Sequence, residues 1–304
     1  MYNAFFGFDV EPFRVNPDPR FLYFSESHRE ALSTLLYAVH QRKGFIVLTG
    51  EVGTGKTTIL NALLQKLDPG VQCAYLFNTY LTMDDFLIYL FEELDLERTI
   101  PFRKSEMLHR LNHYLINRLR EGKQTLLMID EAQNLSLDLM EEVRMLSNLE
   151  TPQSKLLQIM LVGQPELDRK LRRPEIRQLA QRVELRHTIE PLNVDETLEY
   201  VRERLLIAGH ENGEIFTSSA LRAIYRYSTG IPRVINVLCD SALLFGYVHK
   251  SQKISAQMIQ EAAQEIGLEP GGTLPTGTNH VKVKREGWLR RLVSRKRPTG
   301  ELSA

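Results

Sequence analysis

The chain has 304 residues, 43% of them hydrophobic and 25% charged, with 38 Lys plus Arg set against 38 Asp plus Glu. That is the composition of a globular protein with room for one large domain or two modest ones, and it excludes a collagen-like, low-complexity or disulfide-dense chain. The balanced charge by itself points neither to nucleic acid nor to a membrane.

The start, "MYNAFFGFDVEPF", lacks the basic n-region and long apolar h-region of a signal peptide. In "EPFRVNPDPRFLYF", Pro12, Pro17 and Pro19 rule out a regular helix. "SESHREALSTLLYAVHQRK" then reads as a helix capped by Ser25 or Ser27, with Ala31, Leu32, Leu35, Leu36 and Val39 on one apolar face. "GFIVLTG" is a short buried strand, Thr57 to Leu67 a helix and "CAYLFN" a second strand. Helices follow over Asp84 to Leu94 and Ser105 to Glu121. "QTLLMIDEAQ" is a third strand, whose unbroken aliphatic run suits a parallel sheet covered on both faces. Leu137 to Leu149 is helical, "LLQIMLVGQ" a fourth strand and "RVELRHTIEPL" a fifth. Strands alternating with helices predict an α/β fold with a doubly wound parallel sheet.

After Pro191 the pattern becomes helical. Asp195 to Gly209, Ser218 to Ser228, Pro232 to His249 and Ser255 to Ile266 predict a small all-helical lid domain. "EPGGTLPTGTN" from Glu269 reads as a linker, followed by a basic tail. The expected division is 1–44, an N-terminal segment; 45–190, the α/β core; 191–267, the helical domain; and 268–304, linker and tail. Cys73 and Cys239 stand far apart with no CxxC or Cys/His cluster, which argues against a disulfide or zinc framework and fits a reducing compartment. No run of about 18 apolar residues exists to span a bilayer, so a cytoplasmic protein is expected.

The motif Gly50-Glu51-Val52-Gly53-Thr54-Gly55-Lys56-Thr57 fits G-x-x-x-x-G-K-[ST] between a strand and a helix. Glycines let the backbone turn its N–H groups around phosphate oxygens, and the following helix aims its positive end at them. Lys56 reaches the β and γ phosphates, and the Thr57 hydroxyl is suited to Mg²⁺. Asp130 and Glu131 end the third strand, where an open α/β sheet lines its ligand crevice. Asp130 is the expected second magnesium ligand and Glu131 the group that polarises the attacking water. Gln164 ends the fourth strand and suits a contact to the γ-phosphate or the water; a residue capping a turn beside Pro165 is the competing reading.

"LRRPEIRQLAQRVELR" carries Arg172, Arg173, Arg177 and Arg182, any of which suits a neighbouring subunit's γ-phosphate or a solvated helix face. Arg233, in "STGIPRVINVLCDSALL", starts a helix whose approach is fixed by Gly-Ile-Pro. It suits a contact that couples lid angle to nucleotide state.

Taken in order, these stations resemble the AAA+ ATPases, and more closely the secretion ATPases of the ExeA/GspA type. "FFGFDVEPFRVNPDPRFLYFSESHREAL", "GFIVLTGEVGTGKTT", "LLMIDEAQNL", "LVGQPEL", "IRQLAQR" and "STGIPRVINVLCDSALL" carry the likeness, over about residues 1 to 267. The resemblance implies that Gly50, Glu51, Val52, Gly53, Thr54, Gly55, Lys56, Thr57 and Thr58 bind ATP, with Thr57 and Asp130 holding Mg²⁺. It implies that Asp130 and Glu131 support hydrolysis, that Gln164 acts as sensor 1 and Arg233 as sensor 2, and that Arg182 is the preferred arginine finger. The segment near His28 would flank the adenine. Full-length secretion members carry a transmembrane helix and a peptidoglycan-binding domain after the ATPase, neither of which this sequence contains. Shorter relatives accompany pilus and exopolysaccharide systems and fit the length better.

In the tail, Lys282 to Arg297 is dense in Lys and Arg, with Trp288, Leu289, Leu292 and Val293 on one helical face. That weak amphipathic pattern suits peripheral attachment to an anionic inner membrane; nucleic acid and a protein partner are the other readings. The favoured function is an ATP-hydrolysing, ATP-assembled homo-oligomer serving a protein partner in a secretion or surface-assembly system. Its competitors are a nucleic-acid-directed AAA+ ATPase and an ATP-gated adaptor with negligible turnover. The intact Asp130-Glu131 pair disfavours the adaptor.

Overall fold

The computed structural model describes residues 2–14, 19–21, 23–77, 81–97 and 103–271. The basic tail and most of the expected linker lie outside the described residues.

Five strands form one parallel sheet: β1 (Phe45–Gly50), β2 (Val71–Leu76), β3 (Gln124–Ile129), β4 (Gln158–Gly163) and β5 (Leu185–Ile189), in the order β2-β3-β4-β1-β5. β1, β3 and β4 are short, mainly aliphatic runs, with β1 and β4 buried along their full length, while the outer strands β2 and β5 carry polar residues and are only partly buried. Alternate residues serve opposite faces. Ile46, Leu48, Leu126, Met128, Met160 and Val162 pack under α2 (Glu26–His40) and α3 (Lys56–Lys66). Val47, Leu127, Ile129, Ile159 and Leu161 pack on the other face with α4 (Met83–Glu93), α5 (Lys104–Arg120), α6 (Leu137–Leu146) and α7 (Pro165–Leu171). The sheet is therefore doubly wound, as its sequence pattern predicts.

β4 is inserted between β1 and β3, in registers that pair Thr49 with Gly163 and Ile129 with Leu161. The carboxyl ends of the strands that carry the two phosphate motifs and Gln164 thus share one edge of the sheet. Two short helices escaped the periodicity reading, α1 (Asn3–Phe6) and α8 (Arg177–Ala180), as did α7, which begins with Pro165 at its first position.

The helical unit consists of α9 (Val194–Ile207), α10 (Ser218–Ser228), α11 (Pro232–Val248) and α12 (Ala256–Glu265). Its core contains side chains from the other end of the chain. Tyr2, Phe6, Phe8, Phe13 and Phe21 are buried in the same apolar cluster as Leu205, Ile224, Ile235 and Leu243. Arg204 of α9 fastens this strap. Its Nε donates to the Pro12 carbonyl at 2.6 Å, and one terminal nitrogen donates to the Tyr200 hydroxyl at 2.7 Å. Its guanidinium also stacks over the Phe21 ring, 4.7 Å from the centroid. The strap meets the sheet unit at Ser25, the N-cap of α2, whose Oγ accepts the His28 N–H. The chain passes between the two units again near Leu192, whose N–H donates to the Gly230 carbonyl at 2.9 Å. Gly230 has φ +79°, and a Cβ there would lie 1.8 Å from the Leu192 carbonyl oxygen, so this junction accepts no side chain.

Candidate functional site

The loop after β1 is built by its own hydrogen bonds. The Thr54 hydroxyl and N–H both donate to the Glu51 carbonyl, at 2.8 and 3.3 Å. Gly53 and Gly55 have φ +86° and +98°, conformations that side chains with a Cβ resist. Gly55 is the N-cap of α3, so the helix starts with open N–H groups at the loop. Lys56, only 7% exposed, donates to the Gly50 and Glu51 carbonyls at 2.8 and 3.0 Å. Burial lowers its pKa, and the charges of Glu131, Asp130, Glu51 and Glu166 oppose that shift. Glu51, Val52 and Thr57 are exposed, and Thr58 is half-buried.

Asp130 follows β3 and is buried. Burial raises its pKa, against hydrogen bonds from the Glu131 N–H at 2.8 Å and the Tyr75 hydroxyl at 3.0 Å. The Thr57 hydroxyl and this carboxylate are both oxygen donors, the donor type that magnesium prefers. Glu131 has φ +51°, in the left-handed region. Its Oε2 accepts from the Gln133 side-chain amide at 2.5 Å and the Gln164 side-chain amide at 3.1 Å. Gln133 Oε1 in turn accepts the Gln164 backbone N–H at 3.1 Å. Gly163 leaves room for that amide, since a Cβ there would approach Gln133 Oε1 to 2.6 Å. The two glutamines and the glutamate form one connected group beside the loop.

Arg233 stands in the first turn of α11, and its backbone N–H lies 3.4 Å from the Gly53 carbonyl. A Cβ on Gly53 would come within 2.5 Å of the Arg233 Cβ, so helical unit and phosphate loop touch directly. Arg182 is elsewhere. It donates to the Ser147 hydroxyl at 2.5 Å, just before Glu184, whose N–H bonds the carbonyl of Phe45 at the start of β1. The loop lies at the far end of that strand, roughly 17 Å away at about 3.3 Å per residue.

The structure therefore gathers Lys56, Asp130, Glu131 and Gln164 at one edge, brings Arg233 to the loop, and keeps Arg182 apart. Sequence reasoning missed Gln133 and Tyr75. Gln133 stood inside the quoted "DEAQ", and its polar type directly after the acidic pair was the available signal. The His28 ring nitrogens contact Ser25 and the Thr54 carbonyl. Neither cysteine has thiolate character: both are free, and burial, then the charge of Glu93, pushes the Cys73 thiol up to about 12. Among the described residues no helix is long and apolar enough to cross a membrane.

A family profile described as AAA domain matches residues 39–171. General secretion pathway protein A of Aeromonas hydrophila is 44% identical over 283 residues, covering 91% of this chain and 51% of that protein. An uncharacterised HTH-type transcriptional regulator of Methanocaldococcus jannaschii is 28% identical over 176 residues, 55% of this chain and 41% of that protein. The chain thus spans about half the length, or less, of these curated relatives. Among solved structures, the Aeropyrum pernix ORC2 protein in its ADPNP-ADP complexes superposes with a TM-score of 0.60 at 17% identity, covering 84% of this chain and 71% of that one. Drosophila ORC bound to DNA gives 0.63 at 17% identity, over 85% of this chain and 65% of that one. RuvB of Thermotoga maritima gives 0.54 at 16% identity, over 92% and 85%. At such identities the structural matches establish the fold alone.

Proposed function

The chain is a GspA-like AAA+ protein, and on that premise we propose that it binds ATP with magnesium at the Gly50–Thr58 loop and hydrolyses it to drive assembly or export at the cell envelope. The observation that carries this reading is the grouping around Lys56. A buried ammonium sits in a glycine-framed loop at a helix N-terminus, with the charges of Asp130 and Glu131 acting on it. That is an arrangement for a polyphosphate.

Each residue then takes a role. Lys56 and the loop amides bind the β and γ phosphates. Thr57 and Asp130 would hold magnesium, which neutralises charge on the phosphate oxygens. Tyr75 keeps the Asp130 carboxylate in place. Glu131 accepts the proton of the attacking water, and Gln133 and Gln164 orient Glu131. Gln164 serves as sensor 1. Arg233, on the helical unit, senses the phosphates as sensor 2 and sets that unit's angle. Arg182 lies too far from its own loop and acts on a neighbouring subunit's ATP, so the working form is a homo-oligomer assembled on ATP. We take the division as 1–44, 45–190, 191–267 and 268–304, with the first segment packed on both units.

The envelope role follows from the relative, a general secretion pathway protein. A cytoplasmic protein held peripherally at an anionic inner membrane by its basic tail, and serving a protein partner there, fits that role.

The test is direct. Wild type is expected to hydrolyse ATP only with magnesium, and Glu131→Gln to bind ATP while turnover falls by roughly 10²-fold or more. Absence of any ATP or ADP affinity by calorimetry, with magnesium supplied, overturns the reading. Rates measured with anionic vesicles, with DNA and with neither test the setting; stimulation by DNA alone transfers the protein to nucleic-acid work.

A further inference from the structure

Helix α2 reaches the phosphate loop through one ring. His28 is 3% exposed. Its Nε2 lies 2.8 Å from the Thr54 carbonyl oxygen, and its Nδ1 lies 2.6 Å from Ser25 Oγ. A carbonyl only accepts, so Nε2 carries the proton and Nδ1 accepts from the Ser25 hydroxyl. Ser25 Oγ also accepts the His28 backbone N–H at 3.2 Å. The N-cap of α2 thereby fixes both the tautomer and the ring orientation. The ring is packed against the loop as well as bonded to it, since a Cβ on Gly55 would lie 2.7 Å from Nε2.

The bonded carbonyl has a covalent consequence. The Thr54 C=O and the Gly55 N–H belong to one planar trans peptide, so they point in opposite directions. Holding the carbonyl toward α2 aims the Gly55 N–H away from it. Thr54 is 1% exposed, and its own hydroxyl and N–H close the loop at Glu51 rather than fixing this plane. The plane is fixed from outside the loop, by a residue 26 positions upstream.

The geometry points to His28 as a positioning residue for the phosphate loop: its Nε2–H sets the 54–55 peptide plane, and with it the Gly55 amide offered to a nucleotide phosphate. This rests on the reading that the loop holds a nucleotide. Both ring nitrogens of His28 are spent on Ser25 and Thr54 in this role.

The experiment compares four variants of the full chain by calorimetric titration with ADP and with ATP. His28→Leu and His28→Ala remove the donor and are expected to bind roughly fivefold to tenfold more weakly. His28→Gln places an amide nitrogen at the reach of Nε2 and is expected to bind within about twofold of wild type. His28→Asn, one bond shorter, is expected to resemble His28→Leu. Should the Ala and Leu variants fail to fold, the Gln and Asn pair carries the test, since the two differ in reach and not in chemistry. Equal affinities for Gln and Asn, or wild-type affinity in folded His28→Leu, overturn the inference. Lys56→Ala is the control. If wild type itself binds no nucleotide, the phosphate-loop reading fails first. If wild type binds, Lys56→Ala does not, and every His28 variant matches wild type, only the role of His28 is refuted.

Discussion

The side-chain amide of Gln133 donates to Oε2 of Glu131 at 2.5 Å, while its carbonyl takes the Gln164 backbone N–H. Gln164 returns to the same Oε2 through its own side chain. Two amide side chains therefore hold one carboxylate oxygen, and Gln133 also fixes the backbone of Gln164. Gln133→Ala is expected to lower kcat by on the order of tenfold to a hundredfold while leaving ATP affinity nearly unchanged, because orientation is lost and the phosphate contacts remain. Gln164→Ala is expected to do the same, and the double variant to fall short of the product of the two losses. Steady-state kinetics of the three variants check this.

Arg182 lies near the opposite end of β1 from its own loop. Arg182→Ala is accordingly expected to bind ATP like wild type and to hydrolyse it poorly. Mixed with Lys56→Ala, which is inactive for the opposite reason, it is expected to regain turnover. Hydrolysis of the mixture measured against each variant alone decides the point. A mixture no faster than its parts would place the arginine outside the reaction.

Much of this was legible in the chain, for a physical reason. The proposed phosphate loop is a local object: its glycines, lysine and threonine are contiguous in the chain, so their order alone reads as a phosphate-binding pattern. β1, β3 and β4 are equally local, short aliphatic runs closed by Gly50, Asp130 and Gly163-Gln164. Non-local partners were not legible. Nothing in "MYNAFFGFDVEPF" shows that its aromatic rings belong among α9, α10 and α11, because that segment has no period and its partners come some two hundred residues later. Gln133 sits on a short 3₁₀ turn (Ala132–Asn134), where no helical or strand phase assigns a direction. Helix α7 carried its signal in Pro165, which suits a first helical position, but seven residues are too few for periodicity to show.

Arg204 is 6% exposed and supplies hydrogen bonds to Pro12 and Tyr200 together with ring contacts to Phe13 and Phe21. Arg204→Met keeps the apolar stem but leaves the Pro12 carbonyl without this donor. The expected loss is about 3 kcal/mol of stability, with the chain before Ser25 cut early in limited proteolysis. Urea midpoints and the mass of the first fragment measure both effects. Unchanged midpoints would mean that the strap is held by its rings alone.

Burial lowers the pKa of His28, against the bond to the Thr54 carbonyl and the charge of Glu196, both of which raise it. The sign follows from linkage. As pH falls below about 6.5, the unfolded chain takes up a proton that the folded chain refuses, so stability declines until the lowered folded pKa is reached. His28→Gln removes this contribution. Between pH 7.5 and 5.5 the wild type is expected to lose more stability than the variant, read as the difference in urea midpoints. The lowered pKa of His210 adds a similar decline to both proteins and cancels in that difference.

Because Tyr2, Phe6, Phe8, Phe13 and Phe21 are buried with residues beyond Leu192, the helical lobe is not a continuous slice of the gene. A fragment cut at residue 39, where the AAA profile begins, would retain every nucleotide motif and yet leave that lobe with holes the size of five aromatic rings. Any laboratory graft of the lobe has to carry the aromatic segment from Tyr2 to Phe21 along with it.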